Sequence, residues 1–295
     1  MHVLADRLQG LLSDRYVIER ELGHGGMAVV FLARDLRHDR PVPIKVFRSD
    51  VGDATGAERF RREIKLLAKL QHPHILPLYD SGTTGETNYF VTAYVDGETL
   101  RDRMKREPRL PIDDAVRLTM EVADALDFAH THNVVHRDIK PENILQQDGH
   151  AVVADFGIAR AMRRSIGDWT TAVGMMVGSP AYMSPEQSIG ERDLDGRTDI
   201  YSLASVLYEM LAGRPPYSGR SGHMIIAARL SGTPDLVRIH RPDVPEALEA
   251  VIVKALERSP SDRFATAGEF GTALSASLHP HGSEPKRKRW PFGSL

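Results

Sequence analysis

The sequence predicts an α+β fold of two lobes: an antiparallel five-stranded sheet with one main helix in the first third, and a mainly helical remainder. Three observations predict it. Short apolar runs with alternating or β-branched residues, separated by turn residues, fill the first 95 positions. From Pro111 onward the apolar spacing turns helical. Between the two patterns, Ala93 to Asp96 reads as a hinge. The boundaries that follow are an N-terminal extension over 1–13, a β-rich lobe over 14–95, a helical lobe over 96–278 and a basic flexible tail over 279–295.

Tyr16 to Leu22 alternates apolar and polar residues and predicts a strand, which Gly23-His24-Gly25-Gly26 breaks with a tight turn. Met27 to Ala33 and Pro41 to Phe47 are the next two strands, joined by short turns into an antiparallel sheet. Ala57 to Leu70 has helical spacing, with Phe60, Ile64, Leu67 and Leu70 near one face and Arg61, Arg62, Lys65 and Lys69 mostly away from it. Ile75 to Tyr79 and Tyr89 to Tyr94 complete the strands. Asp113 to Thr131, Asp199 to Ala212, Ala247 to Glu257 and Glu269 to Leu278 read as helices.

A chain of 295 residues suffices for one large domain or two packed lobes. With 41% hydrophobic and 26% charged residues it has the composition of a soluble globular protein. A net charge of −2 gives no support to a nucleic-acid surface. The absence of cysteine excludes disulfides, thiolate metal sites and cysteine nucleophiles, and suits a reducing compartment. No secretory signal opens the chain, and no apolar run reaches the ~18–20 residues that span a bilayer. The longest, Ile200 to Leu211, is interrupted by Ser202, Ser205 and Glu209 and reads as a buried helix. The expected location is cytoplasmic, at the inner face of a membrane if the tail precedes a span. Two readings of that tail stay open: a solvated segment, or contact of Lys286-Arg287-Lys288-Arg289 and Trp290 with an anionic leaflet.

His136-Arg137-Asp138-Ile139-Lys140-Pro141-Glu142-Asn143 supplies a carboxylate, an ammonium and an amide in a fixed order. Phosphoryl transfer to a hydroxyl needs a base near the acceptor oxygen, positive charge on the moving group and a ligand for magnesium, and Asp138, Lys140 and Asn143 fill those roles. Leu22-Gly23-His24-Gly25-Gly26-Met27-Ala28-Val29-Val30 is a glycine turn between strands, where backbone amides can approach phosphate oxygens. By itself it is also a plain hairpin. Lys45 sits in an apolar strand, where a lysine needs a partner or blunts an edge. Glu63, beside the packed face of its helix, is the preferred partner and Glu58 the competitor. Asp155-Phe156-Gly157 follows the short strand Ala151 to Ala154. It is either an ordinary turn or, with Asn143, a magnesium site.

These strings occur together in one order. LGHGGMAVVFLARD, REIKLLAKLQHPHILPLYDSG, VVHRDIKPENIL, ADFGIAR and GSPAYMSPEQ make the chain resemble the eukaryotic-like protein kinase family, and most closely the serine/threonine kinases of bacteria, over about Asp14 to Leu274. The resemblance implies a bilobal protein-kinase fold in a bacterial signal-transduction enzyme. It implies ATP-dependent transfer to serine and threonine hydroxyls of protein substrates, with Mg2+ as cofactor and Mn2+ as a substitute. Lys45 then binds the α- and β-phosphates and pairs with Glu63. Asp138 orients the acceptor hydroxyl, Lys140 meets the γ-phosphate, and Asn143 and Asp155 hold the metal. Leu22 and Val30 close over adenine. Ala93, Tyr94 and Val95 offer it backbone hydrogen bonds, and Thr92 guards the pocket behind it. Glu186 pairs with Arg263, and Asp199 braces the catalytic loop. Arg137 receives a phosphate from the activation segment, with autophosphorylation centred on Thr171 and then Thr170, while Ser179 is architectural. A homodimer for trans-autophosphorylation is a further expectation.

Two positions depart from the family pattern. Pro43 stands where a small residue is usual, in a strand expected to be central, and removes an amide there. Ala28 replaces the third loop glycine. The alternative readings are a pseudokinase scaffold, which usually lacks the lysine or one of the two acids kept here, and a kinase of small molecules, against which the long segment ending in SPAYMSPEQ argues.

Overall fold

Five antiparallel strands in the order β1-β2-β3-β5-β4 build the N-terminal lobe. The computed structural model describes residues 8–25, 28–47, 54–84, 87–156 and 180–278. Gly26 and Met27, Gly157, the segment bearing Thr170, Thr171 and Ser179, and the tail with Lys286 to Arg289 lie outside the described residues. The strands are β1 (Tyr16–His24), β2 (Ala28–Asp35), β3 (Arg40–Phe47), β4 (Leu78–Thr84) and β5 (Thr87–Thr92).

Period-two alternation lets this sheet bury both faces. On one side Phe31, Val42, Ile44, Val46 and Val91 pack with Leu8 and Leu12 of α1 (8–12). On the other, Ala28, Phe47 and Phe90 pack with Phe60 and Ile64 of α2 (Ala54–Leu67). Adjacent residues Phe90 and Val91 thus serve opposite clusters. Residues before Asp14 belong to the packing of this lobe, so the expected extension contributes Leu8 and Leu12 to its core.

The strand expected over Ile75 to Tyr79 begins only at Leu78. Pro77 has no amide to donate to a ladder. Instead Ile75 forms a parallel bridge with Val153, and the Leu76 amide donates to the Val153 carbonyl at 2.9 Å. The Val153 amide returns a bond to His74 at 2.9 Å.

The second lobe opens with β6 (Glu98–Thr99), α3 (Leu100–Arg106) and α4 (Ile112–Thr131). β7 (Ile144–Gln147) pairs with β6 on one side and β8 (His150–Val153) on the other in a small second sheet, of which the sequence showed only the strand over Ala151 to Ala154. Then follow α5 (Pro185–Ser188), α6 (Arg197–Ala212), α7 (Gly222–Ser231), α8 (Val237–His240), α9 (Glu246–Ala255) and α10 (Ala267–Leu278). Helix α6 is the axis of the lobe, with every residue from Thr198 to Ala212 buried. Ser202 and Ser205 are tolerated there because each hydroxyl donates to the carbonyl four residues earlier, at 3.1 and 3.0 Å. Gly213 stops α6 at φ 77°, its amide bonded to the Glu209 carbonyl at 2.8 Å.

Candidate active site

Between the lobes lies a cleft of about 950 Å3. Leu22, Gly23, His24, Gly25, Ala28, Val30, Pro43 and Lys45 line its N-terminal side, and Thr92, Ala93, Tyr94 and Val95 its hinge. Asp138, Lys140, Asn143, Leu145 and Asp155 line the opposite side. Val29, expected among the nucleotide-binding residues, packs instead in the cluster with Leu8 and Ile44, because alternation along β2 turns it away from Ala28 and Val30.

Two ion pairs face this space. Lys45 Nζ meets Asp155 Oδ2 at 2.6 Å, and Lys140 Nζ meets Asp138 Oδ2 at 2.7 Å. The Asn143 amide donates to the Asp138 carbonyl at 2.8 Å and to Asp138 Oδ2 at 3.2 Å. That fixes the amide and leaves its carbonyl oxygen as an acceptor. Burial pushes the Asp155 carboxyl upward, but the Lys45 charge and hydrogen bond outweigh it and hold the group below its ordinary value. Asp155 also has φ 64° and Arg137 φ 69°, a left-handed backbone that ordinary residues rarely adopt away from functional sites.

The expected Lys45–Glu63 pair does not form in this structure. Glu63 is half-buried and does not line the cleft, and the lysine is taken by Asp155. The reason is local. Helix α2 docks through Phe60, edge-on to Phe47 with ring centroids 5.8 Å apart, and through Ile64, and this packing sets the rotation of the helix.

The catalytic loop is held from below. Asp199, fully buried at the start of α6, accepts from the His136 amide at 2.8 Å, the Arg137 amide at 2.6 Å and His130 Nε2 at 2.8 Å. Burial raises the Asp199 carboxyl, but the His130 hydrogen bond and nearby charge hold it below its usual value. His136 joins the loop to β8. Its Nδ1 accepts from the Asp138 amide at 3.2 Å, so Nε2 carries the proton and donates to the Ala154 carbonyl at 2.9 Å. Its ring packs on Phe156 with centroids 4.6 Å apart. Arg137 Nε is buried without a hydrogen-bond partner among the described residues. Arg263 grips Glu186 with two bonds of 2.8 Å, and Gln187 Nε2 donates to the Arg137 carbonyl at 2.8 Å.

Several residues escaped the sequence reading. Arg101 on α3 donates to Glu142 at 2.8 Å, to Glu209 at 2.9 Å and to the Tyr182 hydroxyl, which itself donates to Glu209. Nothing in the local pattern around Arg101 marks it, since its partners are 41 to 108 residues away. The bridging role of His136 was likewise hidden, although the residue stands inside the most informative string.

The described residues hold no cluster of three or more acidic or histidine side chains able to enclose a metal ion, and no described helix is long and apolar enough to cross a membrane. Residues 16–273 match the family model described as protein kinase domain. The chain is 42% identical over 269 residues to the serine/threonine-protein kinase PknB of Mycolicibacterium smegmatis, an alignment covering 89% of this chain and 43% of that protein. It is 40% identical over 280 residues to PknB of Mycobacterium tuberculosis, covering 93% and 44%. It is 38% identical over 273 residues to a probable serine/threonine-protein kinase of Streptomyces coelicolor, covering 90% and 40%. The chain thus spans less than half the length of these relatives.

Proposed function

Since the chain belongs to the protein kinase family, we propose that it transfers the γ-phosphate of ATP to serine and threonine hydroxyls of proteins. One observation carries this reading. Asp138 stands in the cleft with Lys140 on its carboxylate and Asn143 fixed beside it, in the same cleft as the Lys45–Asp155 pair. Asp138 receives or orients the acceptor proton, and Lys140 offsets charge on the group in transfer.

ATP and a divalent metal are the family's general requirement. The donor set fits a hard cation: a carboxylate on Asp155 and the free amide oxygen of Asn143, with too few side chains to enclose the ion, which suits Mg2+ (or Mn2+) sharing its shell with phosphate and water. When bound, such an ion neutralises phosphate charge. Asp155 and Asn143 would hold such an ion, and Lys45 would then be free to meet the α- and β-phosphates and Glu63. Leu22, Val30 and the backbone of Ala93 to Val95 hold adenine, with Thr92 behind it.

Arg137, with its unpartnered Nε, is the receiver of a phosphate on Thr171 or Thr170 after autophosphorylation. A homodimer would bring that segment to a second cleft. A division between the lobes at 95/96, with α1 counted in the first lobe, a cytoplasmic location and contact of Lys286 to Arg289 with an anionic membrane surface complete the proposal.

The test is radiolabel transfer from ATP to a generic basic acceptor protein. Wild type should label it, Asp138→Asn should lose about 10²–10⁴-fold, the worth of a positioned acid–base group, and Lys45→Ala should also lose transfer through poorer placement of the phosphates. A wild type that stays silent and is rescued by Pro43→Ala would favour the scaffold reading. A phosphopeptide map in which peptide 170–171 stays unmodified would overturn the proposed autophosphorylation sites.

A further inference from the structure

We propose that Arg229 on α7 is a positioning residue for the acceptor side of the reaction, clamping the segment that forms the cleft wall beside Asp138. The inference rests on the phosphotransfer reading and adds a residue that no sequence motif singles out.

Arg229 is 1% exposed, which makes it a fully buried cation. Such a group is costly to bury without a counter-charge. The other deeply buried arginine, Arg263, has one in Glu186. Arg229 has none. One terminal nitrogen donates to the carbonyls of Pro180 and Ala181 at 2.5 and 2.9 Å, and the other to Ser188 Oγ at 3.2 Å. Its Nε is buried without a hydrogen-bond partner among the described residues, Tyr201 stands close enough to favour the charged form, and the Tyr217 ring lies 5.6 Å from the guanidinium carbon. If filling volume were the only need, an apolar side chain would serve at lower cost.

The partners explain the choice. Tyr182 and Met183, the two residues after the clamped carbonyls, line the cleft together with Asp138. Ser188 passes the restraint onward, since its hydroxyl donates to the Ser184 carbonyl at 2.8 Å. Ser184 and Gln187 form a capping box on α5, and Gln187 holds the carbonyl of Arg137, the residue before Asp138. A hydrogen-bonded path therefore runs from α7 through α5 to the catalytic loop. It reaches the wall on which an acceptor chain must lie and bypasses Lys45 and the hinge. The guanidinium fork holds two adjacent carbonyls with one terminal nitrogen and a hydroxyl with the other, a span that an ammonium has to cover from a single nitrogen.

The experiment compares wild type, Arg229→Lys and Arg229→Met in transfer to a generic basic acceptor protein. It also follows slow hydrolysis of ATP without acceptor, and hydrogen exchange over residues 180–188. Lysine keeps the charge and loses the fork. Arg229→Lys should raise the KM for acceptor about ten- to a hundredfold, the loss expected for a charge-assisted hydrogen bond. It should leave the KM for ATP and acceptor-free hydrolysis unchanged and speed exchange over 180–188. Unchanged acceptor KM, unchanged exchange, or a matching rise in KM for ATP would each overturn the inference. If Arg229→Met fails to fold, the lysine variant decides. A silent wild type overturns the transfer reading and this inference together, whereas active wild type with an indistinguishable lysine variant overturns this inference alone.

Discussion

Asp199 and Glu186 show how single carboxylates hold the site in shape. Both sit below their ordinary values in the folded chain: for each, burial pushes upward and is outweighed, by His130 for Asp199 and by Arg263 for Glu186. The folded state therefore binds fewer protons than the unfolded one at low pH. Their stabilisation is fully present above the ordinary carboxylate range near ~4 and is lost as pH falls through the depressed folded values. Scanning calorimetry from neutral to acid pH should show the wild-type Tm falling below about pH 4, and falling less in Glu186→Gln. Arg263→Met leaves Glu186 buried and unpaired and should cost about 3–5 kcal/mol in denaturant unfolding. The roles of Asp199, Glu186 and Arg263 were legible because the family pattern carries them. His130 was not, because a histidine late in an amphipathic helix gives no sign of a carboxylate 69 positions away.

Among the elements, β3 and the β6–β7 corner carry the sharpest consequences. Pro43 pairs with Leu32 of β2, while the β3–β5 register begins at Ile44, so proline interrupts no part of that second ladder. Pro43→Ala should then cost only about 0.4–1 kcal/mol, chiefly through a freer unfolded chain, with the fold intact by circular dichroism. Gly97 has no such latitude. A Cβ there would stand 1.9 Å from the Gln146 carbonyl oxygen in β7. Gly97→Ala should cost about 1–3 kcal/mol and weaken ATP binding at the adjoining hinge, read by Tm and by nucleotide titration. The first three strands and four of the longer helices were legible from periodicity to within a few residues, whereas β4 was placed too early and α7 was not read. Of the small sheet only β8 was legible, as an apolar run, since β6 is two residues long and β7 four, too short for any period to register. The rotation of α2 was equally unreadable, because Phe60, Ile64 and Leu67 define a packed face without fixing which way Glu63 turns.

Over the whole molecule, the lobes are stitched at the back by paired backbone bonds between His74–Leu76 and Val153, and by His74 Nδ1 donating to the Ala151 carbonyl at 2.8 Å. At the front, among the described residues, they face one another across the cleft, which the Lys45–Asp155 pair bridges. In native-state hydrogen exchange the amides of Leu76 and Val153 should open together near the global unfolding free energy, and later than the Gly-turn amides of Gly23 and Gly25. Independent early opening of Leu76 would refute a rigid rear seam. The same seam turns the protein into a door hung on one edge. Such a seam is expected to let the two leaves swing about it more readily than slide, so two states of the protein should differ more in the Lys45–Asp155 separation than in the His74–Val153 one.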